Sequence, residues 1–300
     1  MTVFHRRAAR ALLSILVSIL AVSASAADGE SPDRPRSERD LAVIAQMLPG
    51  LYANANQAYF ERRLKDPENT RHERRDLRVT ETASRTFELA VGAPGAEAQV
   101  TTAVLSEDGT VVAMAVTGAD GARCTYHWRR EAAQLRATPV GRCHRSLPRG
   151  YVLSEPELWI YPAANDSLAK DNAFRFHRAR PFTCYADIPG VGGGRATPFE
   201  RYDNLELHDQ GGEVWFRTRE ETPREIGISM FLVDWPMNNA TGIFTRNSLV
   251  VYVNERLPDG GRKEHGYAFT EPGVERLGIN LKWLLALCFR ESNANATPSL

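Results

Sequence analysis

Apolar residues recur at every second position through most of this chain. Phe87 and Leu89 share one side of the stretch 85–91, and β-branched runs occupy 100–105 and 111–116 on either side of Glu107-Asp108-Gly109. Asp-Gly between two such runs is a hairpin signal. A further turn at Asp120-Gly121 leads into Cys124, Tyr126 and Trp128, and short strands at 151–153, 158–161 and around Phe174 and Phe176 continue the series. Many short strands at this spacing predict an all-β sandwich or barrel. Beyond Pro181 the alternation resumes. Leu205 and Leu207, then Asp209-Gln210-Gly211-Gly212, then Val214 and Phe216 predict a hairpin. Ile226, Ile228, Met230 and Leu232 alternate, as do Leu249, Val251 and Val253. Leu277, Ile279, Leu281, Trp283, Leu285, Leu287 and Phe289 all fall at odd positions, which predicts one long strand with a single apolar face and Cys288 on the opposite face. The run 283–289 is apolar all round, so a helix is the alternative there.

The period changes only near the start. Leu41, Ile44, Ala45 and Leu48 lie on one face of a predicted helix over 38–48, with Ser37 as N-cap and Pro49-Gly50 as its stop. The stretch 61–78 is dense in both charge signs and reads as a solvated loop with a strand beginning near Leu77. Its arginines suit either a patch for an acidic ligand or a solvated face, and the mixed composition favours the latter.

Charge and the N-terminus narrow the function classes. The 37 Lys and Arg side chains are balanced by 37 Asp and Glu, with no single-sign block, so no nucleic-acid face is expected. Arg6, Arg7 and Arg10, the apolar stretch 11–22 and Ala24-Ser25-Ala26 read as an export signal, with an N-terminal membrane anchor as the alternative. Cleavage after Ala26 would remove three basic side chains and no acid, leaving 34 against 37. No later stretch is long and apolar enough for a membrane helix, so an exported protein, periplasmic or secreted and without stable membrane insertion, is expected. A flexible leader over 27–37 and a disordered tail over 291–300 complete the expected layout.

Four cysteines in an exported chain predict two disulfides, although four buried thiols are the alternative. Three connectivities are open. Pairing of neighbours gives Cys124–Cys143, stapling a hairpin of facing strands, and Cys184–Cys288, joining the ends of the C-terminal region. No nucleophile elbow, paired-histidine zinc motif or phosphate loop occurs, and Gly190-Val191-Gly192-Gly193-Gly194 lacks dinucleotide spacing. His127, His144 and His208-Asp209 have no metal spacing, so no metal is expected and the catalytic residues stay unknown.

The segment with Cys124, Gly141, Cys143, Ser146, Gly150, Tyr151 and Ser154-Glu155, preceded by Gly50, Tyr52, Asn54 and Gln57-Ala58, resembles the CpcT/CpeT family of bilin chromophore lyases. The resemblance implies a calycin-like antiparallel β-barrel over 38–180, followed here by a β-rich C-terminal region over 181–290. It further implies a bilin, an open-chain tetrapyrrole, as the bound molecule, no required cofactor, and an acceptor protein with a target cysteine. In such a barrel Tyr126, Trp128, Tyr151 and Trp159 are candidate walls for a hydrophobic small molecule, each also suited to ordinary core. Arg129, Arg142 and Arg149 are candidate partners for its propionates. The reading is therefore a lyase-like protein, with a non-enzymatic extracytoplasmic carrier or envelope module on the same barrel as the alternative.

Overall fold

In a computed structural model the chain is described over residues 35–163, 172–189, 198–239 and 242–291. The expected export signal, the Gly190–Gly194 run and all of the expected tail but Glu291 lie outside these residues. Ten short strands close into an antiparallel barrel. They are β1 (Gly50–Ala53), β2 (Asp76–Ala83), β3 (Thr86–Gly92), β4 (Gln99–Asp108), β5 (Val111–Thr117), β6 (Arg123–Glu131), β7 (Gln134–Pro139), β8 (Pro148–Leu153), β9 (Glu157–Ala163) and β10 (Phe174–Arg178). Strands β2 to β10 form a meander in which each pairs with the next, and β1 fills the gap between β10 and β2.

The period-two pattern sets which side chains face inward. Leu77, Val79, Phe87, Leu89, Met114, Val116, Tyr126, Trp128, Leu153, Leu158 and Phe176 form one buried cluster. At the β4–β5 turn, Gly109 takes φ 60°, the left-handed conformation the Asp-Gly pair predicts.

One end of the barrel is plugged by helix α1 (Arg36–Met47), which lies against β4 and β5 and sends Leu41, Ile44 and Met47 into the same core. The helix begins earlier than the expected leader allows. Pro35 precedes it and Ser37, expected as the N-cap, is buried within the first turn without a capping bond. Asp40 of α1 accepts two hydrogen bonds from Arg130 at the end of β6, at 3.0 and 2.8 Å. At the other end of the helix Arg178 donates to the carbonyls of Met47 and Pro49 and to the Tyr52 hydroxyl. Gly50, at φ 147°, is required there, because a Cβ would stand 2.6 Å from Arg178 Nη1.

A second helix, α2 (Ala55–Arg63), follows β1 and is absent from the sequence expectation. The segment after it is also less solvated than its composition suggests. His72 is buried, with Nδ1 2.7 Å from Glu61 Oε1. Glu61 Oε2 also accepts from the His72 backbone N–H at 2.6 Å, so part of this stretch folds back on α2 instead of facing water.

The C-terminal region is a β-sandwich. One sheet has the order β12-β11-β18-β17, from β11 (Pro181–Pro189), β12 (Phe199–His208), β17 (Arg276–Asn280) and β18 (Leu285–Arg290). The other has the order β13-β14-β15-β16, from β13 (Gln210–Arg217), β14 (Glu225–Asn239), β15 (Gly242–Arg256) and β16 (Arg262–Thr270). The rows Ile226, Ile228, Met230 and Leu249, Val251, Val253 from one sheet meet Phe182, Ala186, Leu205 and Ile279 from the other in a second core.

Two expectations fail here. The segment around 209–212 is a corner between sheets and not a hairpin, because β12 and β13 belong to different sheets. Buried Asp209 fixes the corner by accepting from the Arg180 backbone N–H at 2.8 Å and from Arg180 Nε at 2.5 Å. The expected long strand 277–289 is instead the β17–β18 hairpin, with Leu277 opposite Cys288. Lys282 takes φ 69° and Leu281 N–H bonds to Leu284 O at 2.9 Å, closing the turn. Reversal shifts the buried set from Leu277 and Ile279 to Leu284, Ala286 and Cys288, so Cys288 faces the core and Phe289 is exposed.

Both expected disulfides are present. Cys184 and Cys288 are register partners on adjacent strands β11 and β18. Cys124 opens β6, but Cys143 lies in the 140–147 link between β7 and β8, so this bridge pins a loop to the barrel and does not join facing strands.

Candidate functional site at the barrel mouth

With α1 closing one end, the opposite end of the barrel carries a depression of about 360 Å³. Its wall includes Leu89 and Val91 of β3, Tyr151 of β8, Ile160 of β9 and Phe174 and Phe176 of β10. Leu147 and Pro148 contribute from the end of the Cys143 loop. The size lies at the lower end of the range for small-molecule sites, and a largely apolar wall with few polar groups is the usual composition.

The polar groups of the wall are positioned by their neighbours. Arg75 stacks its guanidinium on Phe174, 4.7 Å from the ring centroid, while the buried His72 meets the same ring edge-on at 4.7 Å. Gln57 on α2 holds the chain on both sides of Phe174, donating to Ala173 O at 3.0 Å and accepting from the Arg175 N–H at 2.9 Å. On the opposite rim Asp120 accepts from the Ala122 N–H and from the Ser146 hydroxyl, both at 2.9 Å. These bonds, with His144 nearby, hold its carboxyl below the usual range. Serine lies between His144 and Asp120, so the order of a nucleophilic triad is absent.

Beneath the depression the barrel is filled. Tyr126 and Tyr151 meet edge-to-face at 5.1 Å, and Trp128 lies 6.4 Å from Tyr151. The Tyr126 hydroxyl donates to Pro148 O at 2.6 Å. Burial pushes Tyr126 up to about 12, and burial together with the neighbouring Tyr126 pushes Tyr151 well above its ordinary value.

The structure therefore brings together three of the four sequence-predicted aromatics, Tyr126, Trp128 and Tyr151, and of these Tyr151 lines the depression. Trp159 has the opposite parity on β9. It carries Arg175 at 4.8 Å on its ring and donates to Glu157, outside the barrel. Arg129 and Arg142 are exposed, on the outer face of β6 and in the Cys143 loop. Arg149 shares the inward parity of Tyr151 on β8, and its Nε and Nη2 are buried with no hydrogen-bond partner. Arg75, Phe174 and Phe176 were not among the predicted residues. Their signal was weak, since Arg75 sits in the charge-rich stretch and only the Phe174/Phe176 alternation marked an inward row.

No protein-family model, curated protein or solved structure matches this chain. The site is therefore judged on its own chemistry. Among the described residues no group of three or more His, Cys, Asp or Glu has metal-binding geometry, and no cysteine is free. A second, larger depression of about 730 Å³ runs between β1–β2 and the ends of β11, β12 and β18. Its four arginines, Arg78, Arg178, Arg180 and Arg290, face three glutamates, Glu81, Glu206 and Glu291. Arg178 and Arg180 are moreover committed to α1 and Asp209, which leaves this groove close to charge balance and with little free bonding capacity.

Proposed function

We propose that this chain is an exported, non-enzymatic carrier whose barrel mouth takes up a small, largely apolar molecule. The observation that carries the reading is the depression opposite the α1 plug, whose apolar wall also carries Arg75, Thr101, Asp120 and Ser146. Export is supported by two disulfides, which persist in oxidising compartments, and no helix among the described residues is long and apolar enough to cross a membrane. Titration of the full chain with the neutral dye Nile red tests the mouth. One saturable site is expected, and Val91→Arg or Ile160→Arg, each filling the depression with a long cation, should abolish it. Binding that ignores both substitutions removes the proposal.

A narrower version follows from the resemblance to the CpcT/CpeT family. There the mouth presents an open-chain tetrapyrrole to the thiol of an acceptor protein. The apolar wall beside Arg75 is what favours it, since a bilin combines a flat body with propionates. The attacking thiol must come from the acceptor, because both barrel cysteines are in a disulfide. Mixing the chain with a bilin and an apo-phycobiliprotein should give a covalent, zinc-fluorescent adduct faster than the uncatalysed reaction. Equal rates with and without the chain leave the carrier reading alone.

A further inference from the structure

The two disulfides sit in opposite surroundings. Cys184 and Cys288 are 2% and 1% exposed and bridge adjacent strands inside the sandwich core. Cys143 is only half-buried, in a loop whose Gly141, Arg142, His144 and Arg145 are exposed. Its partner Cys124 is buried at the start of β6. The run Arg142-Cys143-His144-Arg145 sets two fixed cations and a titratable ring around the accessible sulfur. Asp120, bonded to Ser146, brings a carboxylate to the same loop. Cations beside a sulfur favour its thiolate, and a better-stabilised thiolate leaves faster in exchange. Buried structural disulfides resist reduction, whereas exposed ones are those that exchange.

The bridge also holds part of the mouth. On the β7 side of the loop the Val140 N–H bonds to Thr125 O at 2.8 Å, and on the β8 side Pro148 O accepts from the Tyr126 hydroxyl. Among the described residues no backbone–backbone bond ties 141–146 to a strand. Between its two anchors the loop is held by the bridge and by the exposed Ser146–Asp120 bond. Yet Ser146, Leu147 and Pro148 line the mouth, and Leu147 packs into the barrel core.

Resting on the carrier reading above, we propose that the Cys124–Cys143 bridge is an exchangeable latch on the mouth. A dithiol reductant in the same compartment opens it, loosens the 140–147 loop and lowers the affinity for the apolar ligand. The first thiolate of the dithiol attacks the half-buried Cys143 sulfur, the S–S bond breaks, and Cys124 leaves and takes up a proton. The second thiol then attacks its own sulfur in the mixed disulfide and expels Cys143 as a thiolate beside Arg142 and Arg145, where it too is protonated. Two electrons and two protons pass from the dithiol to the bridge, and the dithiol departs as a disulfide. The Cys184–Cys288 bridge, closed inside the sandwich, stays oxidised and keeps the C-terminal region intact.

The test exposes the oxidised full-length protein to rising dithiothreitol at neutral pH without denaturant, traps free thiols with iodoacetamide and maps them by mass spectrometry. Cys124 and Cys143 should be trapped at a dithiol concentration at least about tenfold below that needed for Cys184 and Cys288. Arg142→Glu with Arg145→Glu, both at exposed positions, should slow that reduction about threefold or more. Nile red affinity should fall about fivefold in the selectively reduced protein, the size of losing part of one leucine contact. It should return on reoxidation, which separates a loosened loop from an unfolded barrel. Cys124→Ser with Cys143→Ser should show the lower affinity and no response to dithiothreitol. Three results overturn the latch and leave the carrier reading standing: reduction of both bridges together or of Cys184–Cys288 first, a rate indifferent to the charge reversals, or unchanged Nile red affinity after selective reduction. An oxidised protein that binds no Nile red removes the carrier reading, and the latch falls with it.

Discussion

Replacing Arg178 with methionine should detach the α1 plug energetically without removing apolar volume. The magnitude follows from the contacts. Arg178 Nη1 donates to Pro49 O at 2.8 Å, Nη2 donates to Met47 O and to Tyr52 Oη, and the guanidinium lies 4.7 Å from the Tyr52 ring centroid. In the variant Met47 O keeps a donor, since the Tyr52 hydroxyl already bonds to it at 2.9 Å. Pro49 O, half-buried beside the larger groove, loses this donor, a cost of about 1 kcal/mol where water replaces it and up to about 3 where it does not. Loss of the partly desolvated cation–π contact adds about 1–2 kcal/mol. Loss of a cation at the α1 C-terminus adds about 0.5–1 kcal/mol. Part is offset, because no carboxylate among the described residues pairs with this half-buried charge and its desolvation is relieved. The net expectation is about 3 kcal/mol of destabilisation, and about half of that for Arg178→Lys, which keeps the charge but not the fork. Urea unfolding of the oxidised protein, followed by tryptophan fluorescence, measures it. An Arg178→Met variant within 0.5 kcal/mol of the parent, where surface changes fall, or one no worse than Arg178→Lys, would refute the clamp.

Two further outcomes follow. Tyr52, pushed up to about 12 chiefly by burial and pulled back in part by Arg178, is folded as the neutral phenol. Its stabilisation is complete below pH 10 and is lost as pH rises towards 12, with Tyr126 adding to the same window, so alkaline unfolding should begin between pH 10 and 12 and Tyr52→Phe should blunt it. The Cys184–Cys288 bridge closes 104 residues and Cys124–Cys143 only 19, so removing the first as a double alanine variant should cost about 4.7 kcal/mol and the second about 3 by the loop-entropy account. Melting temperatures in the reverse order would show that native-state contacts, and not loop length, set the difference.

Most of the strand content was legible because one face of each strand is buried and the other is wet. Met114, Tyr126 and Leu153 announce inward rows by parity alone, and Gly109 announces its turn. The failures share a cause, which is that parity says nothing about reversal or sheet membership. Leu277 to Phe289 keeps its odd-numbered apolar pattern straight through a turn, because Leu281 and Trp283 stay partly buried against the sandwich while the chain reverses. The corner at Asp209 looks like a hairpin turn until its carboxylate is seen to be bound by Arg180, a residue 29 positions away. The candidate site was only half visible. Tyr126, Trp128 and Tyr151 lie on inward strands, but Trp159, Arg129 and Arg142 failed for want of register. Arg75 could not be told from its solvated neighbours without the ring of Phe174 beneath it.

The placement of β1 gives the barrel a seam. From β2 to β10 each strand is joined to the next by a local connection and β1 reaches β2 through α2, whereas Tyr52 on β1 finds Arg178 on β10 across 126 residues. Closing a loop of that length costs about 2 kcal/mol more than closing a hairpin of roughly ten residues, so the meander assembles first and the seam last. The Cys124–Cys143 bridge lies wholly within the meander and is independent of that step. The same Arg178 that meets β1 also grips the end of α1, so sealing the seam and seating the plug are one event. A chain cut short before β10 would carry nine tenths of its wall and neither closure.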